Sequence, residues 1–253
     1  NLYDFDPAQH IVADSELTGL DRWILDAFAK LDADVRAAFD KCEFHIAYQR
    51  ITQFVAVELS AIYHDTVKDR LYTSPANSPR RRSTQTALYR LVQGFAKILS
   101  PMLVFTADEA WEAIPHLGAG SVHLADWEPF EFSITDDEAA NWETMFAIRE
   151  RALPVLEEAR QAKRIGKSLE ACVTLTGTGR ELEIGQAHGE DLRELINVSQ
   201  LALEPGDGEG EELQVAVTNA DGEKCERCWR WEPTVGSHND HATLCTRCVE
   251  AVS

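Results

Sequence analysis

No run of 18 apolar residues occurs anywhere in the 253-residue chain, so the sequence encodes no helical membrane span. No signal peptide opens it either. The chain begins Asn1-Leu2-Tyr3-Asp4, without a Met, as a piece of a longer protein would. G-x-S-x-G, a Walker loop and G-x-G-x-x-G are all missing, and the many carboxylates form no distinctive pair with a nucleophile. Gly177-Thr178-Gly179 is too short to cradle a phosphate and reads as a hairpin turn. Internal repeats are also lacking. No catalytic chemistry is legible in these residues.

Basic residues are few. Lys and Arg number 24 against 43 Asp and Glu, a net charge of -19 that argues against indiscriminate binding to phosphate backbones. The deficit is uneven. Residues 41–100 hold nine Lys or Arg against four acids, and residues 149–167 hold six against three. An acidic body with two basic stretches suits a partner engaged at defined patches, and a solvated helix face accounts for such runs equally well.

What stands out is cysteine spacing near the C-terminus. Cys225-Glu226-Arg227-Cys228 and Cys245-Thr246-Arg247-Cys248 form C-x2-C-x16-C-x2-C, the spacing of a zinc site. Cys225, Cys228, Cys245 and Cys248 would close a tetrahedral shell with no place for water, so the one Zn2+ is structural. Two alternatives are weaker. Paired knuckles make a poor disulfide framework, and a Cys225, Cys228, His238, His241 set strands two cysteines on a His-x-x-His gap that is too short. Cys42 and Cys172 read as plain buried residues, and a reducing cytoplasm fits all six cysteines.

From Leu17 to Ile114 the apolar spacing is helical almost throughout. Trp23, Ile24, Ala27, Phe28, Leu31 and Val35 mark a first helix. Phe44 to Leu71 marks a second of nearly 30 residues, roughly 40 Å long. Residues 73–79 break the pattern as a loop. Leu88 to Leu99 follow as a third helix, and Ser100-Pro101 reads as the N-cap and first position of a fourth, stopped by Pro115 and Gly118. Four such segments predict an antiparallel bundle with Tyr48 and Tyr63 in its core. Residues 121–127 read as extended. A further helix from near Asp136 to Ile165 should kink or divide at Pro154. Residues 171–175 and 213–217 read as strands around a short helix near 191–196, and 206–212 reads as a flexible acidic turn.

Read in order, several motifs resemble one family. They are Leu20-Asp21-Arg22-Trp23-Ile24-Leu25, Phe44-His45-x-Ala47-Tyr48-Gln49, Lys68-Asp69-Arg70-Leu71-Tyr72 and Leu99-Ser100-Pro101-Met102-Leu103-x-Phe105-Thr106-Ala107-x-Glu109. Ile165-Gly166-Lys167-Ser168-Leu169-Glu170-Ala171 and Lys224-Cys225-Glu226-Arg227-Cys228-Trp229 complete the series. Together they resemble the C-terminal part of bacterial isoleucyl-tRNA synthetases, class I aminoacyl-tRNA synthetases. The likeness covers essentially the whole chain. Valyl, leucyl and methionyl relatives share the bundle motifs loosely, and the terminal knuckle selects the isoleucyl family.

The resemblance implies a mainly α fold. A linker from an upstream catalytic body would occupy 1–16, a helical anticodon-binding domain 17–166, a small α+β junction domain 167–219, and a four-cysteine zinc ribbon 220–253. It implies a ligase that attaches isoleucine to its tRNA with ATP and Mg2+ and edits misactivated valine. Those catalytic and editing sites would lie upstream of Asn1. His116-Leu117-Gly118-Ala119 and Lys163 to Ser168 bear only a passing likeness to the class I signatures. The implied partner is the anticodon stem-loop of isoleucine tRNA, the implied state a cytoplasmic monomer. Arg227 and Trp229, at the knuckle, match positions implicated in anticodon contact. Arg22, Lys68, Arg70, Arg80, Arg81 and Arg82 are phosphate-contact candidates, while Trp231 reads as packing.

Two other functions compete. One is a DNA-repair glycosylase with the same zinc-ligand spacing, although it would begin with a Pro-Glu pair and lack so large a bundle. The other is a non-catalytic interaction adaptor.

Overall fold

A computed structural model describes residues 2, 4–115, 120–206 and 212–253 of the chain. The His116–Ala119 likeness and most of the acidic turn at 206–212 lie outside them. The chain divides into two compact units. The first comprises Asn1–Leu71 and Ala76–Ile134, the second Tyr72–Pro75 and Thr135–Ser253.

The first unit is helical. Its elements are α1 (Pro7–His10), α2 (Gly19–Asp40), α3 (Phe44–Phe54), a π-helical stretch (Val55–His64) and α4 (Asp65–Thr73), which reaches the unit's edge. Then come α5 (Pro79–Leu99) and α6 (Val104–Glu112). The α2 stripe buries Ile24, Leu25, Phe28, Leu31 and Val35, as its spacing predicts. Phe28 is the hub, with ring centroids 4.9 Å from both Phe95 and Phe130 and 5.8 Å from Phe54. Gly94 makes this approach possible, since a Cβ there would lie 2.3 Å from Phe28.

Several expectations need correction here. The described residues ahead of α2 pack on the bundle. Phe5 is buried against Tyr89 at 5.6 Å, and the N–H of Val12 donates to Thr86 Oγ1. This segment lies over α5, so α5 is buried over nearly its whole first half. Ser100 ends α5 and Pro101 lies in a turn, because α6 begins only at Val104. Tyr63 is buried but Tyr48 is 64% exposed, and the wider π turns displace the apolar stripe so that Val55 and Val57 face solvent. Cys42 is exposed and Cys172 half-buried.

The second unit begins with α7 (Asp136–Gln161), capped by Thr135 Oγ1, which accepts from the Glu138 N–H at 3.1 Å. Pro154 does not divide it. Pro154 and Glu150, whose carbonyl loses its donor, both face water, which satisfies that oxygen. α7 packs on the elements that follow it and belongs to the second compact unit.

After α7 come β1 (Ala171–Gly177), α8 (Gly179–Ala187), α9 (Gly189–Ile196), β2 (Gln200–Pro205) and β3 (Gln214–Asn219). The sheet order is β2-β1-β3, with β1 parallel to β2 and antiparallel to β3. Gly177-Thr178-Gly179 is therefore no hairpin; it leads into a helical crossover, as a parallel pair requires. Val173 and Leu175 of β1 are fully buried beneath the helices. The C-terminal tip carries β4 (Glu223–Lys224), β5 (Trp231–Glu232) and α10 (Thr246–Val252).

Candidate metal centre and nucleic-acid interface

Cys225 and Cys228 belong to a knuckle closed by two backbone bonds. Cys225 N–H donates to Arg230 O at 2.8 Å, and Trp229 N–H to Cys225 O at 2.9 Å. The antiparallel β4–β5 pair fixes its base. Cys245 and Cys248 arrive on the first turn of α10, and Cys245 N–H lies 3.4 Å from Cys225 Sγ. All four thiols are buried, and their sulfurs lie within 4.8 Å of one another.

Cys228 Sγ and Cys245 Sγ are 3.8 Å apart. Four sulfurs at the usual zinc distance of about 2.3 Å stand about 3.8 Å from each other in a tetrahedron, whereas a disulfide needs about 2 Å. The donor set fits a structural Zn2+. Burial raises the Cys225 pKa, but N–H groups of Cys228, Cys245 and Arg227 outweigh it and pull the thiol down to about 6. Burial raises Cys245 and pushes Cys248 up to about 11. Buried thiols that resist ionisation are held as thiolates by a divalent cation.

The tip is fastened to the sheet by residues that sequence reasoning passed over. Ser199 Oγ accepts from the Trp231 N–H at 2.8 Å and donates to Leu169 O at 2.5 Å. The Gln200 amide exchanges two hydrogen bonds with the Asp221 backbone. Trp231 is half-buried in this seam, in keeping with a packing role. Short polar side chains carry no spacing signal that would have marked them.

Arg227 Nη1 donates to Thr73 O and lies 3.7 Å from Cys248 Sγ, so one nitrogen of the fork braces the metal turn. Trp229 is 59% exposed and adopts φ 64°, in the left-handed region. That conformation costs a residue with a Cβ about 1–2 kcal/mol, and glycine is the usual occupant. The fold therefore holds a large apolar side chain in water at a backbone position unsuited to it. The ammonium groups of Lys167 and Lys224 each lie 5.9 Å from the indole centroid.

The bundle candidates fare differently. Arg70 is 2% exposed and pairs with the fully buried Asp21 at 3.6 Å. Arg82 is 8% exposed and donates to Asp4 O, Gln85 Oε1 and Asn77 Oδ1. Neither can present its charge to a phosphate in this conformation: Arg70 is enclosed against Asp21 and Thr18, and the segment around Asp4 covers Arg82 at the start of α5. Arg81 is bound to Asp4 Oδ2 at 2.7 Å, and Arg80 is half-buried and engaged. Arg22 donates to Asp14 O at 3.1 Å and lies over Phe132. Lys68 is the surface member, half exposed beside Asp65. A run of three arginines on a helix looks basic in sequence, yet Arg81 and Arg82 turn toward internal acceptors and Arg80 is half-buried.

Residues 21–175 match the model of the anticodon-binding domain of tRNA ligase. The chain belongs to this anticodon-binding family. Residues 222–251 match a second model, the zinc finger found in FPG and IleRS, which covers the four cysteines. The whole of this anticodon-binding chain is similar to isoleucine–tRNA ligases. It is 40% identical to that of Halalkalibacterium halodurans over 260 residues, and 40% identical to that of Moorella thermoacetica over 265. It is 38% identical to that of Photorhabdus laumondii over 264 residues. The chain spans 28% of the length of each of these relatives. The zinc-finger model alone would admit a glycosylase, but the anticodon-binding match and these relatives favour the ligase. No helix of the described residues is long and apolar enough to cross a membrane.

Proposed function

We propose that this chain is the tRNA-recognition part of a cytoplasmic, monomeric isoleucine–tRNA ligase and binds the anticodon stem-loop of isoleucine tRNA. The observation that carries the proposal is Trp229, an exposed indole on a metal-braced turn of an anticodon-binding protein. Anticodon bases are unstacked and single-stranded, and aromatic faces with Arg forks are what read such bases. Trp229 supplies the face. Arg227 supplies the fork, since its Nε and Nη2 bond to no protein group among the described residues. Lys68 remains a candidate for phosphate contact, with Arg22, Arg80 and Arg81 available only if their internal partners are exchanged. ATP, Mg2+, isoleucine activation and valine editing would belong to the catalytic portion of such a ligase.

The test is a titration of the zinc-loaded chain with the isoleucine anticodon stem-loop and with a stem-loop of scrambled anticodon. Tighter cognate binding that Trp229→Ala weakens by about tenfold to a hundredfold, at unchanged zinc content, is the expected result. Equal affinities for the two RNAs would make the tip a structural cap only.

A further inference from the structure

The Trp229 indole is accompanied by charges that the motif reading left unused. Lys167 lies in the loop after α7, two residues beyond the buried Ile165; Lys224 ends β4, next to the metal ligand Cys225. Both side chains are exposed, and both ammonium groups lie 5.9 Å from the Trp229 centroid. Among the described residues neither is taken up by a carboxylate, although the chain carries 43 acids. An ammonium near 6 Å from an exposed ring is at the outer edge of a cation–π contact, where the attraction is weak. These charges are held near the indole without being bound there.

Their anchorage is firm, whatever the side chains do. The Lys167 loop leaves α7 through a left-handed residue, Lys163 at φ 58°, with Arg164 N–H returning to Ala159 O at 2.9 Å. The Glu170 N–H bonds to Lys167 O at 2.9 Å, and the Glu170 carboxylate accepts from the Gly166 N–H at 2.7 Å. Lys224 is fixed by its pairing opposite Trp231. Two elements far apart in sequence thus deliver one ammonium each to the same indole. The nearby acids of the hairpin, Glu223 and Glu232, face each other across β4–β5.

We propose that Lys167 and Lys224 form a phosphate clamp around Trp229, each ammonium taking a backbone phosphate that flanks the base stacked on the indole. The inference rests on the anticodon reading above and adds the residues that would hold the strand. Lysine suits the task as a compact charge on a flexible stem, able to leave the ring for a phosphate without changing the turn. The clamp carries no base information. It would set affinity and salt dependence, and Trp229 with Arg227 would set anticodon preference.

The test measures stem-loop affinity of the zinc-loaded chain from 50 to 200 mM salt for Lys167→Ala, Lys224→Ala, the double variant, Trp229→Ala and a control, Lys30→Ala. Lys30 is exposed on α2. Each clamp lysine should contribute about 0.7 to the slope of log affinity against log salt, equal to about a fivefold loss of affinity at 0.1 M salt. Cognate-over-scrambled preference should be unchanged, and Lys→Arg variants should retain the slope. Lys30→Ala should leave the slope alone. Wild-type slopes for both clamp variants, or an equal slope change in Lys30→Ala, would overturn the clamp. If Trp229→Ala still weakens cognate binding in that case, the anticodon reading survives. If neither Trp229→Ala nor anticodon scrambling matters, that reading fails as well.

Discussion

The Tyr63 hydroxyl donates to Asp21 Oδ1 at 2.6 Å, and neither side chain touches water. Ser83 and Thr84 donate to the same carboxylate, and Arg70 Nη1 lies 3.6 Å from Oδ2. Asp21→Ala removes the buried carboxylate that Arg70, Tyr63, Ser83 and Thr84 share and should cost about 3–5 kcal/mol of stability in denaturant unfolding. Tyr63→Phe should cost about 1–3 kcal/mol through an unmet acceptor. Burial first, then the Asp21 charge, raises the Tyr63 pKa well above its ordinary value. Its contribution is therefore fully present below about pH 10 and lost as pH rises through the folded value. Wild type should lose more stability than Tyr63→Phe on going alkaline, and parallel curves would refute the coupling.

Gly94 is held by a neighbour and not by its own dihedrals. A methyl group there would lie 2.3 Å from Phe28 Cε1, and Phe28 is itself boxed in by Phe54, Phe95 and Phe130. Helix propensity alone would favour Gly94→Ala by about 1 kcal/mol. Overpacking should win, giving a net loss of about 1–3 kcal/mol by thermal or urea unfolding. A stabilised variant would show that Phe28 can yield.

One zinc per chain is expected by elemental analysis, falling well below one in Cys225→Ser. Chelation should unfold the tip, whose buried side chains are mainly the four cysteines with Val235 and Leu244 packed against them. Helical signal in the far ultraviolet should largely persist, because most of the bundle belongs to a separate compact unit. Loss of most helicity on chelation would contradict the division into units.

Trp229→Gly should separate stability from binding. Glycine relieves the left-handed strain at φ 64°, so the tip should gain about 1–2 kcal/mol in resistance to unfolding. The same change removes the indole and should weaken stem-loop binding tenfold or more. A variant that lost stability would show that the exposed indole supports the turn.

Much of this was readable in advance, for identifiable reasons. Metal spacing is a local constraint, so the four cysteines converge as their intervals require. The α2 stripe follows the helical period and is buried accordingly. Where the reading failed, a nonlocal partner decided the outcome. The arginines at 80–82 look like a basic surface until the segment around Asp4 covers them. Val55 loses its place in the core where the turns at 55–64 widen, which nothing in the apolar spacing signals, while Tyr48 is exposed on the α-helix before them. β2 was missed because it is half-buried and pairs parallel, beyond the two intervening helices. Lys167 and Lys224 are 57 positions apart and meet only around Trp229.

The central strand of the sheet is the one synthesised first. β1 leaves the ribosome before either neighbour exists, and its second partner is complete only at Asn219, 48 residues after Ala171. At roughly 5–20 residues per second, Val173 and Leu175 wait about 2–10 s before both edges are covered. That interval is long enough for a chaperone to compete for the segment, and slower codons between β1 and β3 would lengthen it. Yield from fast expression should therefore depend on translation speed through this stretch, independently of the equilibrium stability of the finished sheet.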